Sequence, residues 1–592
     1  MRPSVDILSY PQAPMSRPPT RSALSALVLS LSLALACPAG AETLRKPALD
    51  ALIASQKSNA QESLETFLAN AAKADPAVAP AVAAWQGGLP LSGDNLVNIG
   101  RLLGVYNRVH NEAAVIDTLG KMVALRTVRD DKMPQHENPA IIEFGKLVEG
   151  MAKSFGLVYR NVDNRVFEVT LPGTGTDTFG ILTHADVVPA AAEDWVLDNG
   201  TKLDPFSVTR VGDRLYGRGT IDDKGSIAAA LYAMKTVKES GVPLERSVRL
   251  MIETTEETGG DGIKYYREHN ALPDYNIVLD SKYPAVVAEK GSGALRVLFP
   301  VQATDSKRAT IVAMHGAASA NTVPVSAAAR IGGGNPAAVL SALDNARAAF
   351  IRKYTPQGGK FAIDVKRDGD EIVVKVTGVS AHGSRPEEGV NPLPRLALFL
   401  QTSGVPLTDN HYLRAARYIV DLYGLGYLGE KMGLAYRDPF MGPLTMSPNQ
   451  IREQGEFIEV TTNVRMPRGS TPEALSGKVL QRIYKWAAST GSTVEVKHEQ
   501  GNWMARDPKG AWLSTLLNIF GDTTGLEAKP VATAGSTTAK LLPNAINFGP
   551  AMPGKKYTAH NAKEYKEVPD LDLDLQMFTE MMVRIGNLGK MQ

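Results

Sequence analysis

The sequence predicts an α/β fold: a split domain with a mixed, mainly parallel sheet covered by helices, and inserted in it an α+β lid built of two ferredoxin-like halves. Three observations predict it. Strand-like and helix-like runs alternate through residues 111–293, as a sheet covered by helices requires. The alternation resumes over 504–592, with the helix-like Leu513-Ser514-Thr515-Leu516-Leu517 near its start. Residues 294–503 differ in texture. There Phe361-Ala362-Ile363-Asp364-Val365-Lys366 and Glu371-Ile372-Val373-Val374-Lys375-Val376 flank Asp368-Gly369, a hairpin signal. Helical runs follow from Leu393 to Leu400 and from Glu473 to Ala487, and the segment is close to twice the length of one ferredoxin-like unit.

Upstream, residues 42–110 are alanine-rich, with helical periodicity at Leu64, Phe67 and Leu68 and a break at Gly87-Gly88-Leu89-Pro90. They read as a helical N-terminal extension packing on the body. Residues 1–41 read as a signal peptide: Arg17 and Arg21 precede an apolar run from Ala23 to Ala36, and Ala39-Gly40-Ala41 offers small residues before Glu42. Met15 is an alternative start. The run is short for a membrane span and ends at Pro38, so export to the periplasm or medium is expected. Ala34-Leu35-Ala36-Cys37 also fits a loose lipoprotein signal, a reading opposed by Pro38 and by the Ala-x-Ala site. Cys37 is the only cysteine. A chain cut after Ala41 therefore has neither disulfide nor thiolate, and any metal must be held by nitrogen and oxygen.

The chain has 592 residues and a formal net charge of +2, with a mean hydropathy of -0.13. It is long enough for more than one core. The near-neutral balance argues against nucleic-acid binding, which needs a strongly basic face. No long apolar stretch beyond the N-terminus predicts a membrane span.

Five short stretches carry the chemistry, each at the end of an apolar strand or in the loop after it, where α/β folds gather functional residues. In Gly180-Ile181-Leu182-Thr183-His184-Ala185-Asp186 an imidazole has a carboxylate two residues on, suited to fixing its tautomer as a metal ligand; taken alone, this is also a loop histidine beside a solvated aspartate. Glycines flank Asp222-Asp223 in Tyr216-Gly217-Arg218-Gly219-Thr220-Ile221-Asp222-Asp223-Lys224-Gly225. A carboxylate held in such a turn can offer one oxygen to each of two cations, although a tight turn with an Asp N-cap has the same pattern. Glu256 and Glu257 follow the strand-like Val248-Arg249-Leu250-Met251-Ile252. Adjacent carboxylates suit divided labour between metal ligation and proton transfer, or are a surface acidic run. Asp280 follows Asn276-Ile277-Val278-Leu279, and His560 follows the late strand Ala545-Ile546-Asn547-Phe548. The conjunction, in this order, points to a hydrolase with a two-metal centre.

From about residue 111 onward these motifs resemble the co-catalytic zinc peptidases that include aminoacylase, carboxypeptidase G, carnosinase and the bacterial dipeptidase V, the last being the nearest branch. The resemblance implies two zinc ions, with cobalt or manganese as substitutes. His184 and Asp280 would hold one, Glu257 and His560 the other, and Asp222 would bridge them. Glu256 would be the general base and Asp186 would orient His184. A cis peptide at Asp222-Asp223 is also implied. In such a centre a shared water with a pKa lowered to about 7 provides a bridging hydroxide at neutral pH.

His382, in Thr377-Gly378-Val379-Ser380-Ala381-His382-Gly383-Ser384-Arg385-Pro386, resembles the family's histidine that contacts the tetrahedral intermediate, and Asn321, in Ala320-Asn321-Thr322-Val323-Pro324, its asparagine loop. Arg465 resembles the arginine that binds a substrate's free carboxylate; a solvated strand-end arginine is the alternative. Gly535-Ser536-Thr537-Thr538-Ala539-Lys540 stands where dipeptidases carry Gly-Gly-Thr-Tyr-Ala-Arg, so Gly535 and Thr537 are further substrate-binding candidates, with specificity altered by the departures. The asparagine loop precedes the histidine motif, the order of dipeptidase V, whose doubled lid imitates a partner subunit. A monomer is therefore expected.

The resemblance implies a metallo-dipeptidase acting on short peptides with a free C-terminal carboxylate, and the N-terminal pattern makes it a secreted one. Two alternatives stand beside it: an N-acyl amino-acid amidohydrolase with the same chemistry, and a non-catalytic binding protein on an enzyme scaffold, opposed by the presence of every ligand and the base.

Overall fold

The computed structural model describes residues 43–56, 62–303, 307–507 and 509–592. The expected signal segment and Cys37 lie outside these.

The central sheet is mixed, as expected. Its strands run in the order Val158–Val162, Val166–Leu171, Ser247–Glu253, Thr178–His184, Tyr275–Val278, Ile546–Asn547, Ala285–Glu289 and Met504–Ala505, with Pro530–Thr533 also paired to Ala285–Glu289. Thr178–His184 is parallel to both neighbours, and Ile546–Asn547 is parallel to Tyr275–Val278. The inner strands are buried almost throughout, as strands covered on both faces must be. Ile546–Asn547 enters the middle of a sheet otherwise built mostly from residues before 290, so the two parts of the body share one hydrogen-bonded ladder.

The lid comprises two four-stranded antiparallel sheets. One unit reads strand Gly291–Pro300, helix His411–Leu422, strands Thr445–Gln454 and Phe457–Met466, helix Pro472–Thr490 and strand Glu495–Gln500, the β-α-β-β-α-β order of a ferredoxin-like fold. The other holds strands Thr310–His315, Ser326–Gly332, Ala362–Asp368 and Glu371–Thr377 with helices Pro336–Tyr354 and Pro392–Thr402. The halves are nested: the second is inserted between the first strand and first helix of the other. Both contribute to one apolar core, which includes Leu295, Ile311, Phe399, Tyr418 and Val460.

The segment upstream of residue 111 is part of the body rather than an appendage. Helix Gly93–Ala124 runs without interruption through residue 110, so the boundary expected there falls inside a helix. It packs along the C-terminal helix Val568–Gly586, and close approach requires glycine at Gly104: a Cβ there would lie 2.5 Å from the Gln576 carbonyl oxygen. Arg101 is fully buried and donates to Glu580 at 3.1 Å and Asp522 at 2.5 Å. Among the described residues no helix is long and apolar enough to cross a membrane.

Candidate metal centre and substrate cavity

Four of the predicted residues leave the sheet at the carboxyl ends of three neighbouring parallel strands: His184 ends Thr178–His184, Glu256 and Glu257 follow Ser247–Glu253, and Asp280 follows Tyr275–Val278. Asp222 precedes helix Lys224–Ser240, and the peptide bond after it is cis. His560 lies in the loop between Pro550–Ala551 and Tyr565–Glu567, with a φ of 62°. Such a left-handed conformation is uncommon for a residue with a side chain and recurs at functional sites.

These side chains converge. Asp222 turns Oδ1 to His184 Nε2 at 2.9 Å and Oδ2 to His560 Nε2 at 3.2 Å. Glu257 stands 3.0 Å from His560 Nε2, and Asp280 3.8 Å from His184 Nε2. Ligand atoms of His184, Glu256 and Asp280 all lie within 4.8 Å of one another, as do those of His184, Asp222 and Glu257. Burial pushes the Glu256 carboxyl well above the usual range, with Glu257 and Glu253 adding to it, and burial and then Asp222 do the same to Asp280. Burial would lower both imidazoles. Asp186 and Asp222 instead raise His184, and Glu257 and Asp222 raise His560. Two imidazoles cannot neutralise Asp222, Glu256, Glu257 and Asp280 in a sheltered site, whereas divalent cations can. The nitrogen and oxygen donor set accordingly fits a metal centre.

Asp186 lies against His184 and against the Glu256-Glu257 turn. His184 Nδ1 donates to its backbone carbonyl at 2.9 Å, while its carboxylate lies 3.5 Å from that nitrogen. The carboxylate instead accepts the backbone N–H of Glu256 and that of Glu257, each at 3.1 Å. One residue thus orients the histidine through its main chain and clamps the Glu256-Glu257 turn through its side chain.

Glu564 was not foreseen, because nothing in the sequence distinguishes it from a surface acid. It is fully buried. Its Oε1 accepts the N–H groups of Gly219, Ile221 and Asp222 at 3.0, 3.1 and 3.2 Å, and its Oε2 accepts Arg218 Nη1 at 2.6 Å. It therefore ties the loop carrying Asp222 to the loop carrying His560.

The lid completes a cavity of about 580 Å³ lined by Asp222, Glu256, Glu257, Asp280, His560, His382, Asn321, Arg465, Gly535 and Thr537. His382 stands with its ring centroid 5.3 Å from that of His560. Its Nδ1 accepts the backbone N–H of Ser384 at 3.1 Å, which assigns the ring proton to Nε2. Burial, with His560 and Arg465 nearby, holds its pKa well below the usual imidazole range, so His382 is a neutral donor. Arg465 ends strand Phe457–Met466 and is buried; burial lowers its pKa to about 10, leaving it charged at neutral pH. It donates through Nε to Asn463 at 2.9 Å and through Nη2 to Asn321, so the two predicted substrate contacts are joined. Thr537 lines the cavity, and its hydroxyl donates to the buried Glu289 at 2.7 Å, which secures the loop. Gly535 donates its N–H to Thr533 Oγ1 at 3.1 Å.

A lid closing over acids and imidazoles at the strand ends defines a metal-dependent peptidase. The chain belongs to peptidase family M20/M25/M40, whose model matches residues 180–584. It is 29% identical over 433 residues to YtjP of Bacillus subtilis (strain 168), a protein named as a candidate dipeptidase, with 73% of this chain and 88% of that one covered. It is 28% identical over 479 residues to the Beta-Ala-Xaa dipeptidase of Lactobacillus delbrueckii subsp. lactis, with 80% and 96% covered. Among solved structures, human carnosine dipeptidase 1 matches with a TM-score of 0.51 at 13% identity over 82% of this chain and 98% of that one, a likeness of fold.

Proposed function

We propose that this chain is an exported dipeptidase that hydrolyses short peptides with a free C-terminal carboxylate. The observation that carries the reading is a single cavity in which the donor set meets Arg465, already joined to Asn321, and His382, already set as a donor. Names of relatives in the family support it.

His184 and Asp280 would hold one cation, Glu257 and His560 the other, with Asp222 between them. Bound there, two zinc ions, or cobalt or manganese in their place, would make a water acidic enough to ionise near neutral pH and would polarise the scissile carbonyl. Glu256 takes the proton of the attacking water and returns it to the leaving amine. Its environment suits a group that must hold a proton between two steps. His382 Nε2–H donates to the oxygen on which negative charge develops. Among the described residues Arg465 Nη1 has no hydrogen-bond partner, and its guanidinium offers a planar fork to the terminal carboxylate; a peptide too long to end there loses this contact. Export rests on the N-terminal pattern of Arg17, Arg21, the apolar run and Ala39-Gly40-Ala41.

A mass-spectrometric turnover screen with added Zn²⁺ and a chelated control, offering dipeptides, tripeptides and N-acetyl amino acids, tests the activity. Chelator-sensitive cleavage confined to dipeptides is expected. Preferential deacylation would move the function to the amidohydrolases, and no turnover of any class would make the chain a binding protein. N-terminal sequencing of the exported protein should begin at Glu42; recovery only of uncleaved protein in the cytoplasm would contradict export.

A further inference from the structure

Outside the metal ligands and Glu256, the charged side chains lining the cavity are Lys282, Arg385, Arg465, Lys555 and Lys556 against the single acid Glu388. Lys555 is answered by Glu567 at 2.6 Å and Asp570 at 2.7 Å. Arg385 has only Glu388 at 3.3 Å, and that acid is 56% exposed, so solvent weakens the pair. Lys282 is half-buried, and among the described residues it has neither an ion pair nor a side-chain hydrogen bond. It sits two residues after Asp280, on the short strand Ser281–Lys282, where it lies opposite Ala551.

Lys282, Arg385 and Arg465 line the same cavity. With the terminal carboxylate at Arg465 and the scissile carbonyl at His382 and Glu256, Lys282 and Arg385 are cavity cations left to meet the rest of the substrate.

We propose that Lys282 of the body and Arg385 of the lid make a second carboxylate-binding position on the amino side of the scissile bond, and that the preferred substrates are dipeptides with an acidic side chain on the amino-side residue. The proposal rests on the dipeptidase reading above. A side-chain carboxylate would give both cations charge-assisted hydrogen bonds. A neutral amide of the same shape leaves them without a counter-charge in a partly desolvated place. Because one cation belongs to the body and the other to the lid, an acidic substrate also joins the two parts across the reacting bond.

The test compares Glu-Ala with Gln-Ala, which differ in charge and hardly in shape. In the unmodified enzyme kcat/KM should favour Glu-Ala by roughly tenfold or more, as expected of one charge-assisted contact. Lys282→Met and Arg385→Met should each bring the ratio toward one. Equal kcat/KM for the two peptides in the unmodified enzyme would overturn the proposal. So would an equal loss on both peptides in Lys282→Met, since the lysine would then hold a feature the substrates share. Calorimetric binding to a Glu256→Gln variant separates this inference from the reading beneath it. Tighter binding of Glu-Ala without turnover by the unmodified enzyme would keep the acid position and remove the peptidase reading. Equal binding of both peptides would remove the acid position whether or not turnover occurs.

Discussion

The imidazole of His382, carried by the lid, stands 5.3 Å centroid to centroid from that of His560, carried by the body. Both belong to one chain, so the lid donor reaches the chain's own metal centre without a second copy. Specific activity should stay constant on dilution, with light scattering reporting the mass of one chain. Activity that falls as an obligate dimer dissociates would show that the site is completed in trans.

His382→Ala should lower kcat by about 10²–10³, the loss typical of removing one oxyanion donor, while metal content by elemental analysis stays unchanged. The ring touches Ser384 through Nδ1 and is outside the donor set, so a fall in metal content would refute this role.

Glu256→Gln keeps the shape and removes the base. A loss of about 10²–10⁴ in kcat is expected, with the metals retained because His184, Asp222, Glu257, Asp280 and His560 are untouched. Unchanged turnover would transfer the base role elsewhere.

Arg465→Ala should act chiefly on KM for dipeptides with a free carboxylate and have much less effect on their C-terminal amides. In the unmodified enzyme the amides should be poor substrates. Equal turnover of acid and amide by the unmodified enzyme would show that Arg465 only holds Asn321 and Asn463 in place.

Glu564→Gln removes the charge that accepts three backbone N–H groups and Arg218. The loop presenting Asp222 should loosen, with metal affinity falling about 10–100-fold, the usual effect of disturbing groups that support ligands. Competition with a fluorescent chelator measures this, and saturating metal should restore much of the activity. An unaltered affinity would mean the loop is held by its other contacts.

Much of the centre was legible because the chemistry demanded particular residue types at strand ends. His184, Asp222, Glu256, Glu257, Asp280 and His560 each stood in or after a recognisable apolar run, and the structure brings them together. The roles of supporting groups were less legible. The sequence sets Asp186 beside His184, but only the folded chain shows that the main-chain carbonyl lies nearer the ring and that the carboxylate caps a turn 70 residues away. Nothing in the sequence around Thr537 shows that the buried Glu289 takes its hydroxyl. The boundary at residue 110 was drawn from composition, whereas helix Gly93–Ala124 continues because Gly104 lets it lie against the C-terminal helix.

By itself the sequence determined the layered α/β body, the doubled lid and the donor types of the metal centre, since periodicity and side-chain chemistry are properties of short stretches. Only the tertiary structure decided that the lid halves are nested, that Glu564 holds the Asp222 loop, that Arg465 is joined to Asn321, and that Lys282 lines the cavity. The reason is physical. Which acid becomes a ligand, a clamp or a surface charge depends on the water it loses and the donors it meets on folding, and those donors come from residues far away in the chain.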